Sequence, residues 1–538
     1  MERLKQLFVQ QHWQEIISVA ESSLRTVSQP SADFDYYYGM ALAHAARPED
    51  AARIFESAAR RFPRDKRFPE ELAGIAFQQK NYPRAAACLH RTLRLDPTDS
   101  YANEFLATIY FLQENLEAAL KYWNRVDKPH IENVLTEPKP RLDAQVLDSA
   151  FALSPAETLL RGDLLTTDSR LAALEIFPTS RFELIGREDG NFDLTFRSQE
   201  RNGWGSSTLD GLAGLFRGLP YQTIYPALWN LKDKAVNLQA MLRWDAEKRR
   251  AQASLSSPLH RNAKWRYRLS TDLRNENWDI RPSFTGPSPL LGALNLRREA
   301  GSIEIAAFPS GHWNWSTGVE LSQRDFRSVV PGVALTPQLL SEGFQLKHTA
   351  TLNYALLRIP EKRFTLQTAA TSQLGRIWSS PSHVFEKLHA SLTPHWFPQS
   401  RGEDYETYGA IRAGKTFGDL PFDELSMLGV ERDNDLWLRA HIGTRDGKKG
   451  SAPLGRNFFL ADWETDKVVY SNGLLTLKLG PFLDTGKITD PSPALGSKKW
   501  LSDTGVQAKA RLLGVVVGVS YGKDLRSGHN AIYTTVGR

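Results

Sequence analysis

The sequence predicts an α+β multidomain protein: an N-terminal α-helical repeat solenoid, one β-α-α-β-β unit, and a C-terminal antiparallel transmembrane β-barrel of sixteen strands. Three observations predict it. Small and large residues recur at a step of 34 through the first third of the chain. A hairpin signature, Glu188-Asp189-Gly190 between two alternating runs, follows. The remaining chain alternates apolar and polar residues and holds no apolar run long enough for a membrane helix.

Composition bounds these elements without naming a chemistry. A chain of 538 residues has room for several domains. Its 67 basic and 61 acidic residues leave a net charge of +6, spread rather than clustered, which argues against a nucleic-acid footprint. The single cysteine, Cys88, excludes an intramolecular disulfide framework and a multi-cysteine metal site. Met1 to Gln14 already reads as amphipathic helix, so the expectation is either an export signal upstream of Met1 or a compartment other than the envelope.

In the first domain, residues 1–136, Gly39, Ala73 and Ala107 stand 34 apart, as do Ala51, Ala85 and Ala119, and Phe55, Leu89 and Trp123. Pro63 and Pro97 keep the same step. Small residues where paired helices touch, a large one four positions after the second, and proline at the turn resemble the tetratricopeptide repeat. Three repeats cover roughly 34–129, with a degenerate one around Trp13, Ile17, Leu24 and Pro30. Asp35 and Leu42 replace aromatic residues usual in the first helix of such a repeat. The resemblance implies a concave face for peptides or partner proteins, with Tyr36, Asn81 and Asn103 as candidates, or else a spacer or dimerisation arm.

In residues 137–202, after Pro138 and Pro140, come a short apolar segment, a helix started by Ser154-Pro155 with Glu157, a second helix from Thr167 to Phe177, and two strands. The strands are Phe182-Glu183-Leu184-Ile185 and Phe192-Asp193-Leu194-Thr195-Phe196. This order resembles a POTRA module, whose sheet edge can take up an extended client chain; the plain alternative is a rigid connector.

Residues 203–538 form the third domain, and 200–258 with 418–538 read most clearly as closed sheet. Val236, Leu238, Ala240, Leu242 and Trp244 interleave with Asn237, Gln239, Met241 and Arg243. Val506, Ala508, Ala510 and Leu512 interleave with Gln507, Lys509 and Arg511. A cationic face suits a wet lumen rather than a sandwich core. Candidate strands begin at Thr223 and recur through 404–417, with more after residue 456, and Trp229, Trp244, Trp313, Trp315, Trp378, Trp396 and Trp463 fall near strand ends as an aromatic girdle requires.

Between Gly418 and Asn457 lies a long segment carrying Pro421 to Gly429, then Leu438-Arg439-Ala440-His441, then Leu454-Gly455-Arg456. Followed by Glu464 and by Phe482-Leu483-Asp484-Thr485-Gly486, it resembles the BamA, TamA and FhaC superfamily of outer-membrane insertases and translocases. There an arginine on a loop folded into the lumen meets an aspartate on the wall. The resemblance implies that Arg439 faces Asp484, with Phe482 and Glu464 beside them, and that client chains enter at a seam between the first and last strands, near Trp229 and Tyr533. Alternation independently puts Lys478, Phe482 and Asp484 on one face of their strand. Ala440 and His441 stand where the superfamily has glycine and an aromatic, and the chain ends in Gly537-Arg538 rather than an aromatic. Pro226 in the first strand lacks a ladder donor and weakens the seam.

No His-Glu-x-x-His helix, Gly-x-Ser-x-Gly elbow or phosphate loop occurs, so the expectation is a non-enzymatic protein with no cofactor and no metal. The resemblance implies a bacterial outer-membrane barrel with its N-terminal domains in the periplasm. Its partners are extended client polypeptides, outer-membrane lipid and periplasmic proteins on the repeat face, with no nucleic acid. Two other readings stand beside it: a surface-lipoprotein export barrel, which also joins such repeats to a barrel but lacks the POTRA unit and the arginine loop, and a soluble repeat scaffold with a β-sandwich.

Overall fold

The computed structural model describes residues 1–538 apart from 26–28, 493, 513 and 538, so the final Arg538 lies outside the described residues. The chain divides into two compact units, Met1–Ile131 with Ala156–Arg161, and Glu132–Pro155 with Gly162–Arg538.

The first unit is a run of helices: α1 (Glu2–Val9), α2 (Trp13–Ser23), α3 (Ala32–His44), α4 (Pro48–Arg61), α5 (Arg67–Gln78), α6 (Tyr82–Leu95), α7 (Ser100–Leu112) and α8 (Leu116–Trp123). The 34-residue step has a packing cause. A Cβ added at Gly39 would stand 2.4 Å from the Phe55 ring, so the small residue of α3 admits the large one of α4. Ala73 and Leu89, and Ala107 and Trp123, at the corresponding positions of the next two helix pairs, are buried as well. Asp35, which replaces an aromatic, is buried and ion-paired with Arg61. Of the three concave-face candidates, Asn81 accepts from the Arg84 N–H as the cap of α6, and Asn103 is buried, donating to Pro97 O and Asp99 O. Both asparagines hold turns, and Tyr36 donates to Glu71 Oε1 at 3.3 Å.

Strand β1 (His130–Glu137) starts before the expected boundary at 137, and its residues His130 and Ile131 pair with β2 (Glu157–Thr158). Ser154-Pro155 therefore does not open a helix. Ala156 takes a left-handed φ of 61°, which turns the chain into β2, and the helix begins only at Arg161.

In the second unit the small domain comprises the rest of β1, α9 (Ala144–Ala150), α10 (Arg161–Ala173), β3 (Thr179–Gly186) and β4 (Phe192–Gln199). β3 and β4 pair antiparallel from Thr179 opposite Gln199 to Gly186 opposite Phe192. Val146, Ala150, Leu171, Leu174, Ile176 and Phe196 share one core with Ala235 and Ala263 of the barrel. The Gly311 N–H donates to Thr166 Oγ1 at 3.0 Å, which fastens α10 to a barrel turn.

The sheet follows helix α11 (Thr208–Phe216), which falls within the range 200–258 read as closed sheet but ahead of the first candidate strand at Thr223. Its strands are β5 (Thr223–Ile224), β6 (Ala227–Leu231), β7 (Val236–Trp244), β8 (Lys248–Leu259), β9 (Asn262–Ile280), β10 (Gly292–Ser310), β11 (Trp313–Val330), β12 (Gly343–Ile359), β13 (Phe364–Trp378), β14 (His383–Trp396) and β15 (Tyr405–Gly418). The long loop carries short pieces β16 (Ser426–Met427), β17 (Thr444–Arg445), β18 (Lys448–Lys449) and β19 (Leu454–Gly455). Then come β20 (Asn457–Ser471), β21 (Leu475–Thr489), β22 (Leu501–Leu512), β23 (Val515–Asp524) and β24 (Asn530–Gly537). They form a closed, antiparallel barrel of about sixteen strands. The turns at 232–235, 260–261, 311–312 and 472–474 are short, whereas those at 281–291, 331–342 and 419–456, all at the opposite end, are long.

Side-chain distribution inverts that of a water-soluble sheet. Leu242, Trp244, Leu269, Leu273, Ile303, Leu321, Leu352 and Leu483 are exposed, while Arg243, Arg266, Arg298, Arg324, Lys347, Lys387, Asp484 and Asp503 are buried. The two sets alternate along the strands because successive Cβ atoms point to opposite faces.

Candidate functional site

The wall of the lumen carries charge segregated by strand. On β20 to β23 the register places Asp462 opposite Asp484, Asp484 opposite Asp503, and Asp503 opposite Asp524, a row of aspartates across adjacent strands. Like charges directly opposite one another repel, and burial deepens the cost. Cations from β15 and from the long loop meet this row.

Arg412 on β15 donates to Asp462 Oδ2 at 2.9 Å. Arg439, at the tip of the 419–456 loop, donates from Nε to Asp484 Oδ2 at 2.9 Å and from Nη2 to Oδ1 at 2.6 Å, a bidentate pair. Its backbone N–H adds a third bond to Asp484 Oδ2, at 3.0 Å. Nη1 reaches Glu464 Oε2 at 2.7 Å and Gln507 Oε1 at 2.8 Å, and the guanidinium carbon lies 3.9 Å from the Phe482 ring centroid. All three guanidinium nitrogens donate, and Asp484 is 0% exposed. The tip can approach because the wall is glycine there: a Cβ at Gly522 would stand 2.8 Å from Arg439 O.

The two residues that depart from the superfamily pattern also face the row. Ala440 N–H donates to Asp503 Oδ2 at 2.7 Å. His441 places Nδ1 3.0 Å from Asp503 Oδ2 and Nε2 3.9 Å from Asp524 Oδ2, so the ring stands between two carboxylates with opposite nitrogens. Burial works against a charged imidazole, but Asp503 and then Asp524 outweigh it and hold its pKa above the ordinary value. A pKa raised in the folded state contributes stability that is present below about 6.5 and is lost as pH rises through the folded value. Amide exchange across residues 438–443, corrected for intrinsic rate, should therefore be faster at about pH 8 than at about pH 6, and His441→Gln should erase the difference. Equal protection at both values in the parent protein would sink the idea.

The rest of the loop is acidic where the wall is basic. Asp423 pairs with Arg324 Nε at 2.8 Å and Arg298 Nε at 3.1 Å; Glu424 Oε1 accepts from Lys347 at 2.8 Å, and Lys387 donates to its backbone O at 2.9 Å. Farther along, Asp433 accepts from Arg243 at 2.8 Å, Arg250 at 2.8 Å and Lys449 at 2.9 Å, and Lys248 reaches Glu431 at 3.5 Å. Burial alone would push the Glu424 and Asp433 carboxyls up. The surrounding cations reverse this and hold both well below the usual carboxylate range. The loop is thus docked through Asp423, Glu424, Glu431 and Asp433 on β7 to β14, and through Arg439 and His441 on β20 to β23.

Of the residues singled out from sequence, the structure gathers Leu438, Arg439, Ala440, His441, Glu464, Phe482 and Asp484 into one centre, with Leu438 buried beside Leu428 and Leu460. Trp229 and Tyr533 stand elsewhere. Trp229 is buried, its backbone paired with Gly203 and its ring 5.0 Å from the Arg201 guanidinium, and the Tyr533 carbonyl accepts from Ser520 Oγ at 3.4 Å. Sequence reasoning missed Asp503, Asp524 and the partners of Asp423, Glu424 and Asp433. The alternation that put Gln507 on the polar face also puts Asp503 there, and was the available signal.

A tetratricopeptide-repeat family model matches residues 42–109. No curated protein matches the chain. Among solved structures the chain is similar to BamA from Haemophilus ducreyi lacking POTRA domains 1-3, at 11% identity and a TM-score of 0.42, over 76% of this chain and 84% of that one. It is similar to CdiB from Escherichia coli at 13% identity and TM-score 0.49, over 76% of each chain, and to CdiB from Acinetobacter baumannii at 9% and 0.45, over 76% and 73%.

Proposed function

We propose that this protein is an outer-membrane insertase or polypeptide translocase that moves client chains without covalent chemistry. The observation that carries the reading is a barrel with an apolar exterior and a charged lumen, filled by a loop held through ion pairs. An apolar belt on a closed antiparallel sheet matches a bilayer, because closure leaves no unpaired strand edge in hydrocarbon. The same belt disfavours the soluble sandwich reading. A docked loop suits transport, since it blocks the lumen at rest and is released by breaking contacts rather than bonds. The short β5 and the break at Pro226 between β5 and β6 make the junction with β24 the weakest stretch of wall, where a client strand enters.

In this reading the small α/β domain at the short-turn end is a periplasmic POTRA module, and the repeat unit recruits clients or partner proteins. Both domains precede the barrel in the chain. The work needs no cofactor or metal.

A photoreactive amino acid at Leu228 or Tyr533, in cells expressing the full chain, tests the reading. Capture of unfolded or strand-forming polypeptides at these sites, and not at a matched position on β12, is the expected result. Capture of acylated proteins favours surface-lipoprotein export instead. Crosslinks confined to lipid and to the chain itself overturn both.

A further inference from the structure

Helix α11 accompanies the place where the barrel closes. From β6 to β24 each neighbouring long strand pairs antiparallel, and along that succession β6 and β24 run the same way, from the long-loop end to the short-turn end. The barrel closes by setting β24 beside β5, which continues into β6 along β7, so like-directed strands meet at this junction, and an element running the opposite way lies alongside it. Residues 203–222 make that run. Gly203 pairs with Trp229 near the short-turn end, and Asp210 Oδ1 lies 3.0 Å from a Cβ built on Gly514, at the β22–β23 turn. At the other extreme the Trp244 N–H donates to Gln222 O at 3.0 Å, beside the upper end of β7, and Tyr221 Oη donates to Thr534 O of β24 at 3.3 Å.

Within that run α11 is two-faced. Gly211, Gly214 and Gly218 are buried at helical spacing. Leu209, Leu212, Phe216 and Leu219, at steps of three and four, are exposed by 65%, 46%, 46% and 48%. The glycine face lets the helix lie close: a Cβ at Gly211 would be 2.8 Å from Trp204 Cβ, and one at Gly218 would be 2.7 Å from Thr223 O. Leu242 and Trp244 on β7, whose upper end meets Gln222 at the close of this run, are likewise exposed apolar residues.

We propose that α11 is a lipid-facing seal, seated in the hydrocarbon of the bilayer over the junction of β24 with the first strands. A helix suits that place because its backbone bonds are internal, so it covers a strand edge without presenting an open edge of its own to lipid. The proposal rests only on the membrane-barrel part of the functional reading and on no client.

The test places single cysteines, Leu209→Cys, Leu212→Cys, Phe216→Cys and Leu219→Cys, in a Cys88→Ser chain folded into phosphatidylcholine vesicles. Asn472→Cys in a short exposed turn is the water-accessible control, and each variant is first checked for the gel shift of a folded barrel. Each cysteine is spin-labelled in denaturant before folding, because a thiol in hydrocarbon stays protonated and reacts poorly. All four stripe positions should be accessible to dissolved oxygen and shielded from a charged nickel chelate, while the label at Asn472→Cys is open to the chelate. Access of the chelate to the stripe means the helix lies in water and overturns the proposal. Shielding from both oxygen and chelate means it is buried in protein and overturns it equally. Absence of client crosslinks at Leu228 and Tyr533 would defeat the transport reading and leave this result standing.

Discussion

Asp484→Ala is expected to destabilise the docked loop by about 3–5 kcal/mol, because it strands the Arg439 guanidinium in a buried site. Glu464 and Gln507 still contact Nη1, so part of the charge stays compensated and the lower half of that range is the better expectation. Arg439→Ala should cost a similar amount for the opposite reason: Asp484 and its cross-strand neighbours Asp462 and Asp503 then face one another with one cation fewer. The double variant should be less damaged than the sum of the singles, with a coupling of about 1–3 kcal/mol. The heat-induced gel shift of the folded barrel, followed against temperature for all four proteins, measures this cycle. Strict additivity would mean the pair contributes nothing specific. Asp484→Asn should resemble Asp484→Ala, since an amide keeps the shape but not the charge.

Asp433→Ala is expected to have the second large effect, again about 3–5 kcal/mol, because it leaves Arg243, Arg250 and Lys449 without their shared carboxylate. Lys449 retains Glu276 at 2.8 Å and Arg250 retains Asp272 at 2.8 Å, but Arg243 loses its only ion pair among the described residues. Arg243→Ala added to Asp433→Ala should therefore recover part of the loss. This anchor and the Arg439 centre hold different parts of the loop on different strands, so Asp433→Ala and Asp484→Ala should combine nearly additively. In planar bilayers the combined variant should show long openings of higher conductance than the parent as the loop leaves the lumen. Unchanged conductance, with the folded barrel verified by gel shift, would show that the ion pairs do not hold the loop.

Much of this centre was legible before any coordinates. The period of two on β21 put Phe482 and Asp484 on the wet face, and the loop pattern around Arg439 supplied the partner. The helical repeats were legible because the Gly39–Phe55 contact is local and its positions recur as buried residues. The Ser154-Pro155 start failed because capping chemistry is a local preference, and pairing of Glu157 with Ile131 overrode it. Helix α11 went unmarked because so short an apolar run as Leu209 to Phe216, ahead of the first candidate strand at Thr223, carries no periodicity that separates helix from strand.

The sequence by itself determined which face of each strand is wet, where the repeats pack, and that an arginine and an aspartate suited to pairing lie 45 residues apart. These are consequences of short-range periodicity and need no knowledge of what lies across the barrel. Only the tertiary structure decided that four aspartates line up across β20 to β23, that Asp423, Glu424 and Asp433 reach cations on β7 to β14, and that like-directed strands meet where the barrel closes. Those facts depend on register and closure. A shift of one residue in register would turn each aspartate to the other face, and the sum of strand registers around the ring decides which charge meets which.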